Sequence, residues 1–411
     1  MTLPEIQPFR GVLYRVPAAD LAKVLSPPYD VIPPAYQEEL YARDPRNIVR
    51  VVLNCGEGAA RYRDAADSYR RWLAQGVLAA DEQLALYVLE QAFAHEGRTL
   101  RRYGVLARFR AEPAEGGAIL PHEQTRAAAV EDRYRLLEAT RANFSPILLM
   151  FPDPEARFSA LISLVIAAPP VLCYTDDGGI GHRLWRVTAT ETIASLQEVL
   201  AARKAYIADG HHRHATALRH CAEAGAEGAW TFGYFTPLEA PGLAVLPYHR
   251  ILAQGPPLDD ARRALQDSFR VTPAEDAPAA ARGAQASQAP YAFGLAEAGG
   301  GAIVAEALPQ AAGLLGSNPP AALRALDTYF FHQVVLARLL GVAEEDVSYV
   351  HSLGEAEEAL RKGSCRLAAL MRATPIRQIV DVAEARAHMP PKSTFFHPKL
   401  PSGLVIHPLA V

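Results

Sequence analysis

The most restrictive feature of this sequence is an apolar segment that runs directly into a glycine and a cationic cluster at residues 206–215, YIADGHHRHA. The pattern predicts a strand followed at once by a helix. The N–H groups in the first turn of a helix have no acceptor within the helix and bind anions favourably, so we expect the amides of residues 210–212 to hold a phosphate or carboxylate. Arg213 can add a forked, permanently charged contact. The junction therefore predicts an anion site beside the carboxylate of Asp209.

Two other interpretations of the same residues stay open. Asp209 can be the N-cap of the helix, since Asp is among the best capping residues, and the histidines can be solvated residues of its first turn. A metal site is the other interpretation, because His211 and His214 lie three residues apart on one helical face near Asp209. No third His or Cys follows at the usual ligand spacing, and the cationic Arg213 is a poor neighbour for a metal, so we expect no metal held by these residues.

A second informative segment is LPHEQT at residues 120–125, where a short apolar strand ends in a polar turn. A helix is predicted next, and NFSPILLM at residues 143–150 contains the following apolar strand. This order of elements, with DGHHR at the start of a later helix, resembles the ParB/sulfiredoxin superfamily and its free-serine kinases in particular. In those folds the helix start holds nucleotide phosphates, and in the serine kinases the acidic residue of the PHE element takes part in catalysis.

The resemblance implies roles for particular residues of this chain. The acid/base candidates are Glu123 and Asp209, and the phosphate-binding candidates are Gly210, His211, His212 and Arg213. We expect Glu123, Asp209 and Arg213 to line one cleft. The implied cofactors are ATP or ADP, with Mg²⁺ as the bridging ion.

A further resemblance extends over nearly the whole chain. SPPYDVI at residues 26–32, DGHHR at residues 209–213 and MPPKSTFFHPKL at residues 389–400 are similar, in this order, to the bacterial and archaeal "domain of unknown function 1015" family. This family leaves the chemistry open. The first motif is interpreted as a rigid turn in which Tyr29 packs and Asp30 caps a helix.

The C-terminal motif combines a proline-stiffened turn with a cation and two hydroxyl groups, which are the groups needed to grip a phosphate or an amino-acid carboxylate. We therefore add Lys392, Ser393 and Thr394 as candidate substrate- or phosphate-binding residues, together with His122. The alternative is that Lys392 is a solvated loop charge and that the phenylalanines after it are packing residues.

Composition limits the classes of protein to be considered. The 411 residues, half of them apolar, can bury substantial cores and predict two or more lobes. The formal net charge of −4, without a basic domain or tail, argues against nucleic acid or an anionic membrane as a partner. The four cysteines are scattered singly, which indicates reduced thiols. Because the start does not resemble a signal peptide and no run of eighteen apolar residues occurs, we expect a cytoplasmic protein.

Strand and helix patterns alternate along the chain and predict a mixed or antiparallel sheet. The strand patterns form hairpin-like pairs around polar or glycine-containing turns, namely residues 84–93 with 99–110, 171–175 with 182–187, 230–236 with 243–252, and 291–296 with 302–308. We expect an α/β (α+β) protein with a mixed sheet, a ParB/sulfiredoxin-like core and additional α/β lobes.

The sequence is divided into three expected regions. They are an N-terminal segment with the SPPYD motif (1–83), the core (84–255) with an insertion at 151–204, and a C-terminal α/β region with the MPPKST motif (256–411). Residues 272–290, rich in Ala, Pro, Gln and Ser, are interpreted as a linker or surface loop. A helix with a wide apolar face is predicted over residues 321–340.

The functional prediction follows from the resemblance and from the absence of other motifs. No G-x-x-x-x-G-K-[ST] sequence occurs, which disfavours a P-loop kinase. The resemblance implies nucleotide-dependent phosphoryl transfer to a small hydroxy amino acid such as serine, with Asp209 or Glu123 accepting the hydroxyl proton. The alternatives are a phosphatase acting on phosphoserine and a non-catalytic nucleotide-binding regulatory protein.

Overall fold

The computed structural model describes residues 5–113, 116–201, 203–225 and 230–409. The chain divides into two compact units. The first unit contains Met1–Pro121, Thr125–Ala244 and Pro398–Val411, and the second contains His122–Gln124 and Val245–His397.

The strands and helices have the following bounds. The strands are β1 (Ile6–Gln7), β2 (Val12–Tyr14), β3 (Leu78–Ala80), β4 (Leu86–His95), β5 (Arg98–Arg110), β6 (Ile119–Leu120), β7 (Ala142–Asn143), β8 (Ile147–Phe151), β9 (Leu172–Thr175), β10 (Gly181–Val187), β11 (Ala205–Asp209), β12 (Trp230–Pro237), β13 (Ala244–Leu246), β14 (His249–Leu252), β15 (Phe269–Ala274), β16 (Ala292–Glu297), β17 (Ala302–Ala307), β18 (Val347–Val350), β19 (Leu367–Met371), β20 (Phe395–His397) and β21 (His407–Pro408). The helices are α1 (Leu21–Val24), α2 (Pro34–Arg43), α3 (Val49–Val52), α4 (Ala60–Ala74), α5 (Ala127–Thr140), α6 (Arg157–Val165), α7 (Thr190–Ala201), α8 (His211–Ala224), α9 (Leu258–Leu265), α10 (Ala277–Ala286), α11 (Ala321–Arg324), α12 (Asp327–Phe330), α13 (Leu353–Arg361) and α14 (Ile376–Glu384).

The first unit contains a mixed sheet with the strand order β6-β11-β8-β12-β5-β4-β10-β9, and β1 pairs with β5. The β11–β6 and β12–β8 pairs are parallel, whereas β4–β5, β10–β4, β12–β5 and β11–β8 are antiparallel. The expected α/β fold with a mixed sheet is therefore confirmed. So is the β4–β5 hairpin, whose two turn residues, Glu96 and Gly97, both have positive φ (49° and 74°), as a two-residue turn of this kind requires.

One core of the first unit lies on one face of this sheet. Apolar side chains of alternate strand positions, such as Val88, Val105 and Leu149, pack there with Phe158 of α6 and Leu196 of α7. All five residues of β8 are buried. Residues 151–204 contain α6, β9, β10 and α7. This segment therefore supplies two helices to the core and two strands to the sheet.

The predicted pairing of residues 230–236 with 243–252 is wrong. β12 pairs with β5 and β8, and β14 pairs with β18 and β19 in another sheet. Seven of the eight residues of β12 are buried, so it is an interior strand with a neighbour on each side. Its apolar pattern does not encode which strands become those neighbours.

The second unit contains a six-stranded antiparallel sheet with the order β15-β17-β16-β19-β14-β18. The β16–β17 hairpin is confirmed. The interpretation of residues 272–290 as a linker is wrong, because β15 continues to Ala274 and the Ala-rich stretch forms α10. The Asp276 side chain caps α10 by accepting from the Ala279 N–H at 2.7 Å. Buried Ala280 and Ala284 pack this helix against the sheet, where a Cβ on Gly294 would lie 3.0 Å from Ala280.

The helix predicted over residues 321–340 is divided into α11, α12 and a wider π-helical segment, Phe331–Leu340. Its apolar face is buried as expected, with Phe331, Val334 and Val335 in the core of the second unit. Within the residues that the structure describes, no helix is long and apolar enough to cross a membrane.

Candidate functional site

The predicted strand-to-helix junction is present in the first unit. β11 ends at Asp209, α8 begins at His211, and Gly210 is the N-cap with φ 99°. The pairing of β11 with β8 shifts between Ile207 and Asp209, and such a bulge changes the direction in which the next side chain points. The capping interpretation of Asp209 is therefore wrong, because this residue is the last of the strand and the N-cap is the following glycine.

Gly210 is required for two reasons. Its positive φ lies in the region that L-residues rarely adopt. In addition, a Cβ at this position would lie 3.0 Å from the Cζ atom of Arg213, so the guanidinium folds back over the glycine. The absence of a side chain therefore allows Arg213 to lie at the start of its own helix.

The carboxylate of Asp209 is shared between two cations. Its Oδ1 accepts a hydrogen bond from the Lys399 ammonium and its Oδ2 accepts one from Arg213. The three side chains are 14, 13 and 12% exposed, for Asp209, Lys399 and Arg213 respectively. Burial raises the pKa of Asp209, but Lys399 and Arg213 outweigh it and hold that pKa well below its usual range. Two positive charges and one negative charge therefore meet at the start of α8, which leaves a net charge of +1.

Lys399 was not predicted as a site residue, although it lies in the C-terminal motif. It is 190 positions from Asp209 in the chain. The segment is fixed through its backbone: the Gln91 side chain donates to the Lys399 carbonyl at 3.0 Å, and Arg102 donates to the Pro398 carbonyl. The one available signal was a lysine in an unusual Pro- and aromatic-rich motif.

The buried histidines at the start of α8, His211 and His214, add no positive charge at neutral pH. His211 and His214 are buried, and burial lowers the pKa of His211 to about 3 and that of His214 to about 4. The Nε2 atom of His212 accepts from the backbone N–H of Arg126 at 3.1 Å, which requires a lone pair on that nitrogen. The positive charge of the site therefore comes from Lys399 and Arg213.

The other predicted site residues lie in the second unit. The Met389 N–H donates to the His122 carbonyl at 2.9 Å, and Glu123 forms an isolated parallel bridge with Met389. The His122 ring lies 3.4 Å from the Thr394 hydroxyl through its Nε2. The structure thus brings His122 and Glu123 together with the C-terminal motif. The expected shared cleft of Glu123 with Asp209 and Arg213 stays a prediction.

The MPPKST motif forms a tight turn within the second unit. Ser393 is buried, and its hydroxyl contacts the Pro390 carbonyl at 2.7 Å and the Thr328 hydroxyl at 3.1 Å. Lys392 has a positive φ of 55°, and its ammonium lies 5.1 Å from the centre of the Tyr248 ring. Hydroxyl groups engaged in this way stabilise the turn itself, and Lys392 is the member of the motif with a half-buried, charged side chain.

The surroundings of Asp209 do not fit the expected Mg²⁺. Both carboxylate oxygens already bind cations, so a divalent cation would face two positive charges. Across the described ranges, no group of three or more His, Cys, Asp or Glu side chains is arranged to hold a metal ion. An anion fits this position better than a metal does.

Replacing Asp209 by Asn should destabilise the protein and make its stability depend on anions. Lys399 and Arg213 would then lie close together without a carboxylate, and we expect the free energy of unfolding to fall by about 2–4 kcal/mol. Inorganic phosphate should restore more stability to this variant than to the parent protein. Thermal denaturation with and without phosphate measures both effects.

Asp177→Asn is the matched control, since Asp177 pairs with Arg43 at an exposed position of the same unit. A surface pair of this kind contributes about 0–1 kcal/mol. Equal behaviour of the two variants would show that the Asp209 cluster has no special electrostatic role.

Comparison with known proteins found similar solved structures and a matching family. A search of curated proteins found no match. Three solved structures are similar to it: a free serine kinase in complex with AMP (15% identity, 71% of this chain and 86% of that chain, TM-score 0.34), a conserved hypothetical protein from Pyrococcus furiosus (15%, 73% and 93%, 0.35), and SbnI with a C-terminal truncation from Staphylococcus aureus (11%, 74% and 88%, 0.36). TM-scores this low carry no conclusion about function.

The family match is more extensive. The model described as "Protein of unknown function (DUF1015)" matches residues 6–329, which is well over half of the chain. The three motifs in the sequence predicted this family, and the chain belongs to the DUF1015 family.

Proposed function

We propose that the start of α8, with Lys399 and Arg213, binds the phosphates of a nucleotide such as ATP or ADP, and that the protein transfers a phosphoryl group to serine or a similar hydroxy amino acid. The observation that supports this most directly is the sharing of one carboxylate by two cations at a helix N-terminus. Such a position attracts an anion through the helix dipole, the first-turn N–H groups and a net positive charge. The choice of serine rests on the sequence resemblance to free-serine kinases.

In this proposal Asp209 orients Lys399 and Arg213 and is not the proton acceptor. A carboxylate with a strongly lowered pKa, hydrogen-bonded to two cations, is a poor base at neutral pH. Glu123 is then the proposed proton acceptor for the substrate hydroxyl, as the resemblance implies. Phosphoryl transfer depends mainly on positioning and charge neutralisation, which Lys399, Arg213 and the helix start can supply.

A nucleotide, when bound, would supply the phosphoryl group, and the chain would hold its phosphates. Because the residues around Asp209 do not fit Mg²⁺, charge neutralisation is assigned to Lys399, Arg213 and the helix start. The reverse reaction, hydrolysis of phosphoserine, and non-catalytic nucleotide binding would use the same anion site. Three assays distinguish these activities: formation of phosphoserine from ATP and serine, release of phosphate from phosphoserine, and nucleotide binding without turnover.

The test of this function is nucleotide binding by a Lys399→Met variant. Loss of a charge-assisted hydrogen bond to phosphate should weaken ADP binding about tenfold to a hundredfold. The remaining Asp209–Arg213 pair is electrically neutral, so we expect the fold to persist. Titration calorimetry with ADP, with melting temperatures for both proteins, gives the affinity and the stability separately.

Lys362→Met is the control, because Lys362 is an exposed lysine paired with Glu358. If Lys399→Met and the parent protein bound ADP equally tightly, the nucleotide site would have to lie elsewhere. If the parent protein bound ADP but formed no phosphoserine from ATP and serine, the regulatory alternative would be favoured.

A further inference from the structure

A groove in the first unit begins at Arg213 and follows α5. Its first part encloses about 440 Å³, including space open to solvent, with Tyr29, Arg133, Ser145 and Arg213 in its walls. A second part shares Arg133 with the first and reaches Arg61. Tyr29 of the SPPYD motif therefore lines the same groove as Arg213.

The far end of this groove has a second excess of positive charge. Arg61 and Arg133 both donate to the carboxylate of Asp132, and the Tyr62 hydroxyl donates to the same group at 2.8 Å. Two guanidinium groups sharing one carboxylate leave a net charge of +1, as at Asp209. A ligand with two separate anionic groups therefore matches the charge along the groove.

Arg133 lines both parts of the groove and is held by hydrogen bonds to its neighbours. Its Nε and Nη2 donate to Asp132, and its Nη1 donates to the Val52 carbonyl at 2.7 Å. Its guanidinium lies 3.9 Å from the centre of the Tyr29 ring, and the side chain is 11% exposed. The hydrogen bonds between described residues use three of the five N–H groups of a guanidinium. One N–H on each terminal nitrogen makes no hydrogen bond to a described residue, and guanidinium N–H groups are good donors to carboxylates.

A nucleobase fits this groove less well than a carboxylate does. Nucleobase sites generally offer an aromatic face for stacking. Here one face of Tyr29 is covered by Arg133, and one face of Tyr62 is covered by Arg61 at 4.7 Å. The polar groups that the arginines present are donors, which favours an anionic ligand group.

We propose that the groove binds the carboxylate of the amino-acid substrate, with Arg133 as its carboxylate-binding residue. The phosphoryl group then lies at Lys399 and Arg213, and the carboxylate lies toward Arg133. This inference rests on the proposed function, since it assigns the two anionic groups of a phosphorylated amino acid to the two cationic ends of one groove. It restricts the substrate class to hydroxy compounds that carry a carboxylate.

Two ligands that differ only by the carboxylate provide the test: O-phosphoserine and O-phosphoethanolamine. The parent protein should bind O-phosphoserine at least about tenfold more tightly, because the carboxylate adds charge-assisted hydrogen bonds. Arg133→Gln should reduce this preference to about twofold or less, while ADP affinity stays within about threefold. Arg133→Lys keeps the charge without the planar pair of donors, so an intermediate preference is expected. Titration calorimetry measures all of these affinities.

Arg135→Gln is the matched control on the same helix, because Arg135 is exposed and pairs with Glu131. It should keep the preference of the parent protein. Equal binding of the two compounds by the parent protein, or an unchanged preference in Arg133→Gln, would overturn the carboxylate assignment. ADP binding by the parent protein separates this failure from a failure of the proposed function, which predicts that binding regardless of Arg133.

Discussion

Each unit should lose stability steeply as the pH falls from 6.5 to 4.5, because histidines are buried in their neutral form. Burial lowers the pKa of a histidine, to about 3 for His211, His332 and His407 and to about 4 for His214 and His249. In the unfolded chain the pKa of histidine is about 6.5. Below that pH the unfolded chain therefore takes up protons that the folded chain excludes.

The sign and size of the effect follow from this difference in bound protons. The stabilisation is complete above pH 6.5 and declines as the pH falls toward the folded-state values of about 3 to 4. Three of these histidines are in the first unit and two in the second. The free energy of unfolding should therefore fall by up to about 4 kcal/mol per pH unit for the first unit and about 3 kcal/mol per pH unit for the second near pH 5.

Urea unfolding at pH 7.5, 6.5, 5.5 and 4.5 measures this slope. His332→Gln should lower the slope by about 1.4 kcal/mol per pH unit, since one titrating group is removed. Its side-chain oxygen can still accept from the Arg250 Nε, which lies 3.3 Å from the His332 Nε2. A flat stability profile between pH 6.5 and 5 would contradict the neutral buried state of these histidines.

Replacing Glu123 by Gln should lower the rate of phosphoserine formation by about a hundredfold to ten-thousandfold, which is the usual contribution of a general base. Gln keeps the size of the side chain and removes its ability to take a proton. If Glu123 acts only in proton transfer, kcat should fall while the affinity for ADP changes little. Steady-state rates with ATP and serine, together with ADP titration, give the two quantities.

Glu82→Gln makes the same chemical change at an exposed position and should have the activity of the parent protein. A fall in ADP affinity as large as the fall in rate would assign Glu123 to nucleotide binding. A normal rate in Glu123→Gln would remove its proposed catalytic role, and Asp209 would have to be reconsidered despite its lowered pKa.

Features with short-range causes could be predicted from the sequence. The β4–β5 hairpin follows from two strand patterns joined by Glu96 and Gly97, and the β11–α8 junction follows from an apolar run, a glycine and a helical pattern. The first-turn N–H groups of α8 come with any helix start, so the proposed anion site could be predicted without tertiary information. The family was also predicted, because its three motifs can be read directly.

The tertiary structure decided which distant residues meet and which of them are charged. Lys399 reaches Asp209 across 190 positions, and no local pattern indicates that contact. Burial, which depends on the packed fold, makes His211 and His214 neutral and leaves the positive charge to Lys399 and Arg213. The local sequence encodes the strand–glycine–helix junction that presents the N–H groups. Packing of the C-terminal segment brings Lys399 to this junction, and packing of α5 forms the groove beside it. Contacts between such remote segments depend on the packing of the whole unit.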